Sequence, residues 1–375
     1  MRVLGVQMRD FRTYARAEAG LGEGLTVVHG PNGAGKSNLL EALYFGCTGR
    51  SPRTRNDREL VRFGAQAAHV VVRLLDGSQQ HELSVGFGAL GAGGPSEKPV
   101  KRMSADGAQV ERLLDVESRP LVSVFLPDRL ELLKGAPALR RAHLDQVIAA
   151  IWPLRAATRR EYSRVLAQRN ALLGRIRTGR ASEATLSTWD QELAARALEL
   201  NANRAAAVAL LAEPFAVRAR QLGCSGDVAL EYRPRSRASS EEQFVGELRE
   251  RLGSDLERCF TGHGPHRDEL AITRDGRELR VYGSQGEQRL ALLALLLAER
   301  AVLADERRQT PLMLLDDVMS ELDSERRELL AGELRGGGQS VIATTDLAHV
   351  PGASDAAVTR LRVSPGAVLQ EALAA

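Results

Sequence analysis

The residues best suited to chemistry form a glycine-rich segment near the start of the chain. Residues 30–37 fit the pattern GxxxxGK[ST], with a β-branched run before them and an amphipathic stretch after them. Such a loop turns successive backbone N–H groups toward phosphate oxygens, and the positive end of the next helix points at the same place. The predicted ATP-binding loop consists of Gly30, Pro31, Asn32, Gly33, Ala34, Gly35, Lys36 and Ser37. Lys36 would reach the β- and γ-phosphates, and the Ser37 hydroxyl would bind Mg²⁺.

Two adjacent carboxylates end a second apolar run. Asp316 and Asp317 directly follow the segment 311–315, Pro-Leu-Met-Leu-Leu. Ligands of α/β sheets bind at the carboxyl ends of the strands, so Asp316 is predicted to bind Mg²⁺, directly or through water. Asp317 is predicted to polarise the attacking water as the catalytic base. The alternative interpretation is a pair of helix-capping aspartates.

A second anion site is predicted just before a long apolar helix. Ser284, Gly286 and Gln288 combine a hydroxyl, a glycine backbone and a helix N-terminus. The first loop already holds the phosphates of one nucleotide, so this second loop would cap the nucleotide of another protomer, with Ser284 acting in trans. Ser320 and Asp323 follow the two acids at the spacing of the D-loop of ABC-type ATPases, and this resemblance implies that they lie across the same dimer interface.

The hydrophobic periodicity predicts an α/β chain interrupted by helices. Period-two and buried apolar runs occupy both ends, and a spacing of three to four residues dominates the middle. We predict a discontinuous α/β domain, residues 1–120 plus 245–375, and a helical insertion, residues 121–244, that forms a short antiparallel hairpin. Within these regions, a long helix kinked at Pro153 and a strand at Leu279–Val281 are expected.

Composition excludes several protein classes. Of the 375 residues, 43% are hydrophobic and 26% are charged, which is typical of a globular protein rather than a disordered or fibrous one. No apolar run is long enough to span a membrane. The three cysteines are far apart, which argues against a disulfide framework and a zinc site. The N-terminus shows no signal-peptide pattern, so a cytoplasmic location is expected.

Positive charge is concentrated in two segments although the net charge is only +3. Residues 139–180 contain ten arginines and two carboxylates, and residues 48–62 contain five arginines and two carboxylates. A polyanionic partner, DNA, is one interpretation; a solvated helix face in an arginine-biased chain is the other. Because aromatic residues are scarce, DNA recognition would rest on the phosphate backbone and be largely independent of base sequence. The candidate contacts are Arg50, Arg53, Arg55, Arg159 and Arg160.

Taken together, these motifs resemble the ABC-type ATPase heads of the SMC branch, and within it the RecF family. Ser284 to Gln288 fit the core of the ABC signature, and Ser320 to Asp323 fit its D-loop. Four blocks carry the closer resemblance: residues 4–14, 127–145, 264–268 and 314–323. The resemblance implies a P-loop ABC-ATPase-like head, lobe I, with an inserted helical subdomain, lobe II.

The resemblance also implies a function. RecF-like proteins are ATP-driven homodimers that bind DNA, as single strands or at single-strand/duplex junctions, and hydrolyse ATP slowly when DNA is present. They act in recombinational repair of gaps, replication restart and SOS induction, where with RecO and RecR they promote RecA loading. By the same resemblance, Arg12 and Thr13 would touch the nucleotide. Two features depart from ABC transporters: Asp317 replaces the usual glutamate, and no switch histidine occupies residues 344–346.

Two other functions are compatible with a phosphate loop. The ATPase subunit of a membrane transporter would show a switch histidine and a fuller signature, and would lack the RecF-like N-terminal block. A small-molecule kinase would need neither the Ser284 loop nor the turn at residues 320–323.

Overall fold

The chain folds into two compact units, one inserted into the other. The computed structural model describes residues 1–88, 100–126 and 130–371. The first unit contains Met1–Arg129 and Arg307–Ala375, and the second contains Leu130–Glu306. These units divide the chain after residues 129 and 306, whereas the sequence pattern placed the boundaries of the insertion after residues 120 and 244. Residues 127–129, which begin one of the RecF-like blocks, lie outside the described residues.

The first sheet of the first unit is antiparallel. In spatial order it contains β2 (Tyr14–Gly20), β1 (Arg2–Phe11), β4 (Ala67–Asp76), β5 (Gln79–Gly88), β6 (Val100–Ala105) and β7 (Ala108–Val110). Asp76 pairs with Gln79, so the two residues between them form the tight turn that the Asp-Gly sequence predicts. One face of this sheet carries the buried apolar residues of the unit, and the other faces solvent.

The second sheet of this unit is parallel except at one edge. Its order is β15 (Ala367–Gln370), β14 (Thr359–Ser364), β3 (Leu25–His29), β13 (Ser340–Thr344), β12 (Leu312–Asp316) and β8 (Val122–Phe125). Only β14 and β15 pair antiparallel. The carboxyl ends of the other strands therefore meet at one edge, which brings the end of β12 to the same edge as the loop after β3.

Helix α1 (Lys36–Thr48) lies in the apolar core that joins these two sheets. Leu39, Leu40 and Leu43 of this helix are fully buried in one cluster with Val72 of β4 and Leu314 of β12. A further helix, α10 (Ser324–Gly336), follows the two acids. Both sheets thus fix the orientation of the helix that begins at the phosphate loop.

The second unit is mainly helical. It contains α2 (Glu131–Lys134), α3 (Pro137–Ile151), α4 (Thr158–Arg177), α5 (Leu186–Gln221), β9 (Val228–Arg233), α6 (Glu241–Glu250), α7 (Leu252–Arg258), β10 (Glu269–Arg274), β11 (Arg277–Glu278), α8 (Leu279–Tyr282) and most of α9 (Gln285–Arg307). Strand β10 pairs antiparallel with both β9 and β11. No helix among the described residues has the length and apolar character needed to cross a membrane.

Packing explains why residues after 245 stay in the second unit. Phe244, Val245 and Leu248 of α6 are buried against Leu193 and Ala197 of α5. Strand β10 hydrogen-bonds along β9, which precedes the predicted boundary. These contacts join segments distant in sequence, so the pattern of hydrophobic residues alone misplaced the boundary.

Two local predictions were wrong. The long helix does not kink at Pro153 but ends at Ile151, because Trp152 leaves the helical conformation (φ −125°, ψ 88°) and a short 3₁₀ turn follows before α4. The expected strand Leu279–Val281 is the helical turn α8, since a segment of three residues with two apolar positions is too short to separate the two periods. By contrast, Pro214 lies inside α5 without ending it.

A buried arginine links α4 to the rest of its unit. The Arg169 side chain is fully buried and donates from Nε to Asp190 (2.7 Å) and from Nη1 to Asp255 (2.8 Å) and to the Thr261 hydroxyl (2.7 Å). Arg140 is also buried and makes two hydrogen bonds to Glu269 (2.6 and 2.9 Å). Two of the ten arginines in residues 139–180 are thus internal ion-pair residues that cannot contact DNA.

We predict that Arg169→Ala strongly destabilises the protein. Removing one partner leaves two buried carboxylates without their cation, which costs about 3–5 kcal/mol. Urea unfolding should show this loss, whereas Arg164→Ala, an exposed change on the same helix, should stay within about 0.5 kcal/mol of the parent. A loss below about 1 kcal/mol for Arg169→Ala would show that the buried network is not stabilising the fold.

Candidate functional site

The phosphate loop connects β3 to α1 with a backbone that only glycine accommodates at two positions. Gly30 has φ 153°, and a Cβ there would lie 2.2 Å from the Val363 carbonyl oxygen. Gly35 has φ 116°, and a Cβ there would lie 2.8 Å from the Tyr14 hydroxyl. The neighbouring strand and the β1–β2 turn therefore hold the loop closely, and no side chain can enter at either position.

The N-terminus of α1 is left open for an anion. Gly35 is the N-cap, it provides no side-chain cap, and the first turn contains no acidic residue. The first amide N–H groups of a helix have no intrahelical acceptor, and the helix dipole is positive at this end. An uncapped first turn behind a glycine loop is the arrangement that binds phosphate.

Lys36 lies at the mouth of this loop. Its side chain is buried, and its Nζ donates to the carbonyl oxygens of Gly30 (2.8 Å) and Pro31 (3.0 Å). Burial lowers the pKa of Lys36, while Asp316 and Asp317 act in the opposite direction. The two loop carbonyls therefore hold the amine beside the two carboxylates.

Asp316 and Ser37 meet, as the sequence predicted. Asp316 is the last residue of β12 and is buried, and the Ser37 side chain hydrogen-bonds to it. Burial raises the pKa of Asp316, whereas Ser37, Arg53 and Lys36 counteract that rise. A hydroxyl and a carboxylate oxygen at the phosphate loop match the hard oxygen ligands that Mg²⁺ takes together with substrate phosphates.

Asp317 occupies an unusual backbone conformation. Its φ is 51°, yet its N–H still donates to the Ala343 carbonyl of β13 at 3.0 Å. One carboxylate oxygen, Oδ1, is buried and has no hydrogen-bond partner among the described residues. An unpaired buried oxygen is costly unless it has a ligand to bind, so its position beside Asp316 fits a role toward a bound water or ion.

Glu41 binds several side chains beside the phosphate loop and was missed in the sequence analysis. This fully buried residue of α1 accepts two hydrogen bonds from Arg12 (both 2.8 Å), one from the Ser51 hydroxyl (2.6 Å) and one from Arg53 (3.3 Å). The sequence did contain a signal for this role, because Glu41 is a charged residue among the apolar residues of this helix.

Two arginines with predicted ligand contacts bind Glu41 in this structure. The Arg12 guanidinium is bound to Glu41 and to the Glu59 carbonyl (2.8 Å). Arg53 donates to Asn38 (3.0 Å) and Glu41 and lies close enough to Asp316 to affect its pKa. Both arginines therefore brace α1 near the phosphate loop. Contact of Arg12 with the nucleotide and of Arg53 with DNA stays a prediction.

The turn between β1 and β2 packs on the loop. The Tyr14 hydroxyl donates to the Gly35 carbonyl at 2.9 Å, and Asn38 donates to the Thr13 hydroxyl at 3.1 Å. Burial raises the pKa of Tyr14, which keeps its hydroxyl protonated as a donor. Thr13 is exposed, and its contact with the nucleotide stays a prediction.

In the second unit, Ser284 begins α9 with a reciprocal pair of hydrogen bonds. The Ser284 hydroxyl accepts from the Glu287 N–H (3.3 Å), and the Glu287 carboxylate accepts from the Ser284 N–H (2.8 Å). This is a capping box, which the sequence S-x-x-E could have revealed. Ser284 and Gly286 are both exposed, so the loop presents its hydroxyl and glycine backbone to solvent.

Gln288 has a different position from the one expected. It is buried, and its Nε2 donates to the carbonyl oxygens of Leu279 (2.9 Å) and Gly283 (3.0 Å). The predicted interface residue is therefore a brace beneath the loop. Two exposed apolar side chains, Val281 and Tyr282, lie directly before that loop.

The segment after the two acids is fixed by side-chain hydrogen bonds. The Ser320 hydroxyl donates to the Asp317 carbonyl at 2.8 Å. Asp323 caps α10 by accepting from the Arg326 N–H at 2.9 Å. Ser320 is exposed, and the roles of Ser320 and Asp323 at a dimer interface stay predictions.

The remaining DNA-contact candidates differ in side-chain exposure and in ion pairing. Arg50, Arg55 and Arg160 are exposed. Arg159 is about half exposed and pairs with Asp145 at 3.2 Å. Their contact with DNA stays a prediction.

We predict that Lys36→Met abolishes nucleotide binding and that Lys36→Arg binds nucleotide but hydrolyses it poorly. The amine is a point charge that reaches two phosphates, and guanidinium is wider and planar. Binding of a fluorescent ATP analogue and release of phosphate would measure the two effects, with exposed Lys134→Met as the control. Unchanged turnover in Lys36→Met would contradict the assignment of the loop.

Comparison with known proteins places this site in a family. The model of the RecF/RecN/SMC N terminal domain matches residues 3–359. The chain is 38% identical over 390 residues to the DNA replication and repair protein RecF of Streptomyces avermitilis, covering 98% of this chain and 99% of that protein. It is 37% identical over 366 residues to the RecF protein of Myxococcus xanthus, covering 94% and 93%.

Solved structures agree with the sequence comparison. The structure of the recombination mediator protein RecF with ATP, in the RecFOR pathway, superposes with a TM-score of 0.83 at 27% identity and covers 99% of this chain and 97% of that one. An SMC head bound to the C-winged helix domain of ScpA gives a TM-score of 0.61 at 15% identity over 100% and 98% of the two chains, which shows a shared fold. The predicted ABC-ATPase-like α/β fold is confirmed, and the chain belongs to the RecF family of the RecF/RecN/SMC proteins.

Proposed function

We propose that this protein is an ATP-driven homodimer that binds DNA, largely independently of base sequence, and acts in recombinational repair of gaps, replication restart and SOS induction. The observation that carries the proposal is the uncapped first turn of α1 with Lys36, Ser37 and Asp316 beside it. The names of the RecF relatives and the ATP in the related solved structure support it.

The residues of the phosphate loop have distinct tasks in ATP binding. The amide N–H groups at the start of α1 would bind the β- and γ-phosphates, and Lys36 would leave its loop carbonyls to reach them. Ser37 and Asp316 would hold Mg²⁺, which when bound neutralises phosphate charge. Among the described residues no cluster of three or more acidic, histidine or cysteine side chains could hold a metal, so the remaining ligands would be phosphate oxygens and water.

Asp317 would accept a proton from the water that attacks the γ-phosphate. Its buried, unpaired Oδ1 is the acceptor available for that proton. Aspartate is one methylene shorter than the glutamate usual in ABC transporters, so its carboxylate reaches less far toward the water. We therefore propose slow turnover, stimulated by DNA, in which ATP serves mainly as a dimerisation switch.

A second copy of the chain would complete the site. The Ser284 loop is exposed, and its hydroxyl and the Gly286 backbone lie at the N-terminus of α9, where a helix can bind an anion. Val281 and Tyr282 expose apolar surface next to it, as an interface would require. We propose that Ser284 binds the γ-phosphate of the nucleotide held by its partner copy, with Ser320 at the same interface.

The proposed partners are DNA, as single strands or single-strand/duplex junctions, and RecO and RecR. The RecFOR pathway named for the related structure supports the protein partners. The transporter-subunit alternative is not favoured, because curated relatives that cover most of the chain are RecF proteins. The proposal is tested by measuring DNA binding of the purified protein with and without ATP on single strands, duplexes and junctions; no binding to any of them would reject it.

We predict that Asp317→Asn traps ATP and stabilises the dimer. The substitution is nearly isosteric and leaves Asp316 for the metal, but it removes the proton acceptor. Single-turnover hydrolysis should fall at least about tenfold while ATP binding persists. Asp346→Asn, an exposed acid after β13, is the matched control. If Asp317→Asn hydrolyses ATP like the parent, the base lies elsewhere.

We predict that Ser284→Arg prevents ATP-dependent dimerisation without affecting ATP binding. The larger cation would fill the space that the partner's phosphate needs. Sedimentation with ATP and Mg²⁺ should show a dimer for the parent and a monomer for the variant. Ser163→Arg adds the same charge at an exposed position on α4 and should still dimerise. A parent protein that stays monomeric with bound ATP and DNA would overturn the proposed dimer.

A further inference from the structure

Strand register on the antiparallel sheet aligns three arginines and a histidine across neighbouring strands. Arg16 lies opposite Arg9 across β2 and β1, and Arg9 lies opposite His69 on β4. His69 in turn lies opposite Gly86 on β5, and Gly86 lies opposite Arg102 on β6. Five neighbouring strands thus contribute one residue each to the row. At a strand spacing of about 4.8 Å, the row is about 19 Å long.

The side chains of this row point away from the core. Arg9, Arg16, His69 and Arg102 are all exposed. Their sequence neighbours Met8, Ala68 and Val70 are buried in the apolar core. The alternation of a β-strand therefore places these four side chains on the solvent side, whereas Gly86 between them is buried and contributes no side chain to the row.

The row lacks the counter-charges that the rest of this face has. Within the described parts of the chain, no acidic side chain pairs with Arg9, Arg16 or Arg102. On the same face, one register step away, Glu18 is bound by both Arg73 and Gln7. Arginines placed directly opposite one another destabilise a sheet, so this arrangement costs stability until an anion neutralises it.

Neighbouring groups shift the pKa of His69, the histidine of this row. Burial and the neighbouring Arg9 lower the pKa of His69, and Glu82 acts the other way. Its Nε2 lies 2.8 Å from the Ser84 hydroxyl. His69 therefore adds a polar ring between Arg9 and Gly86, and the permanent charge of the row lies on its three arginines.

We propose that this row, Arg16–Arg9–His69–Gly86–Arg102, is a track that binds the phosphate backbone of DNA. The proposal rests on the DNA binding proposed above and assigns it to a surface outside both arginine-rich segments. A line of separated cations about 19 Å long suits successive phosphates rather than a single small anion. No Phe, Tyr or Trp lies in an outward position on the described strands of this sheet, so the track would contact the backbone and not read bases.

The test uses the full-length triple variant Arg9→Gln/Arg16→Gln/Arg102→Gln. Fluorescence anisotropy with ATP present would give its affinity for duplex and single-stranded DNA between about 50 and 300 mM salt, the range over which counterion release is strong. Three lost phosphate contacts should flatten the slope of log K against log salt by about 2.7 on duplex and about 2 on single strands. Affinity near 0.1 M salt should fall at least about tenfold on every sequence. ATP binding should be unchanged, and the melting temperature should be equal or higher, because the opposed charges are gone.

Two control variants distinguish loss of the track from loss of net charge and from loss of any arginine on the same face. Arg237→Gln/Arg249→Gln/Arg258→Gln removes the same charge from exposed positions of the second unit. Arg73→Gln removes an arginine from the same face that is already paired with Glu18. Both should keep the parent slope within about half a unit, less than one phosphate contact.

The outcomes distinguish this proposal from the proposed function. If the parent binds DNA and the triple variant keeps its slope and affinity, the track is rejected while DNA binding stands. If the charge-matched control loses as much affinity as the triple variant, only net charge matters and the track is also rejected. If the parent itself binds no DNA with ATP, the proposed function fails first.

Discussion

The open N-terminus of α1 is the feature on which the candidate site depends. A helix that begins without a cap leaves amide groups unsatisfied, and this helix also buries a glutamate. The protein stabilises that arrangement with neighbours rather than with a cap. Tyr14 binds the Gly35 carbonyl, and Arg12 binds Glu41, so the N-terminal sheet supports the loop from one side. The loop is thereby kept in shape for a phosphate.

The phosphate loop and the Ser284 loop proposed to bind a second phosphate are built by different means. The first uses glycines with positive φ and lies at the edge of a buried parallel sheet. The second is an ordinary capping box, rigidified from below by the buried Gln288 amide. The first is complete with a lysine and carboxylates. The second offers only a hydroxyl and backbone groups, which suits a part-site that completes another protomer's nucleotide.

The arginines of this chain fall into groups that their spacing in sequence does not reveal. Arg169 and Arg140 are buried in ion pairs, and Arg12 and Arg53 brace the phosphate-loop helix. The cations without acidic partners on the antiparallel sheet come from separate segments, and pairing of the strands aligns them. A cluster of charge in sequence is therefore a poor guide to a charged surface, because burial removes some members and strand register recruits others.

Local patterns in the sequence determined the phosphate loop, the strands β3, β12 and β13, the Asp-Gly hairpin and the carboxylates at the strand edge. Each depends on a short-range rule: glycine tolerates positive φ, apolar runs become buried strands, and parallel strands end at a common edge. The meeting of Ser37 with Asp316 could be predicted because both follow such strands. Tertiary structure alone decided the return point at residue 307, the burial of Gln288 and the engagement of Arg12 and Arg53 with Glu41. Those outcomes depend on which distant segments pack together, since a polar side chain takes its partner from whatever the fold brings within hydrogen-bonding distance.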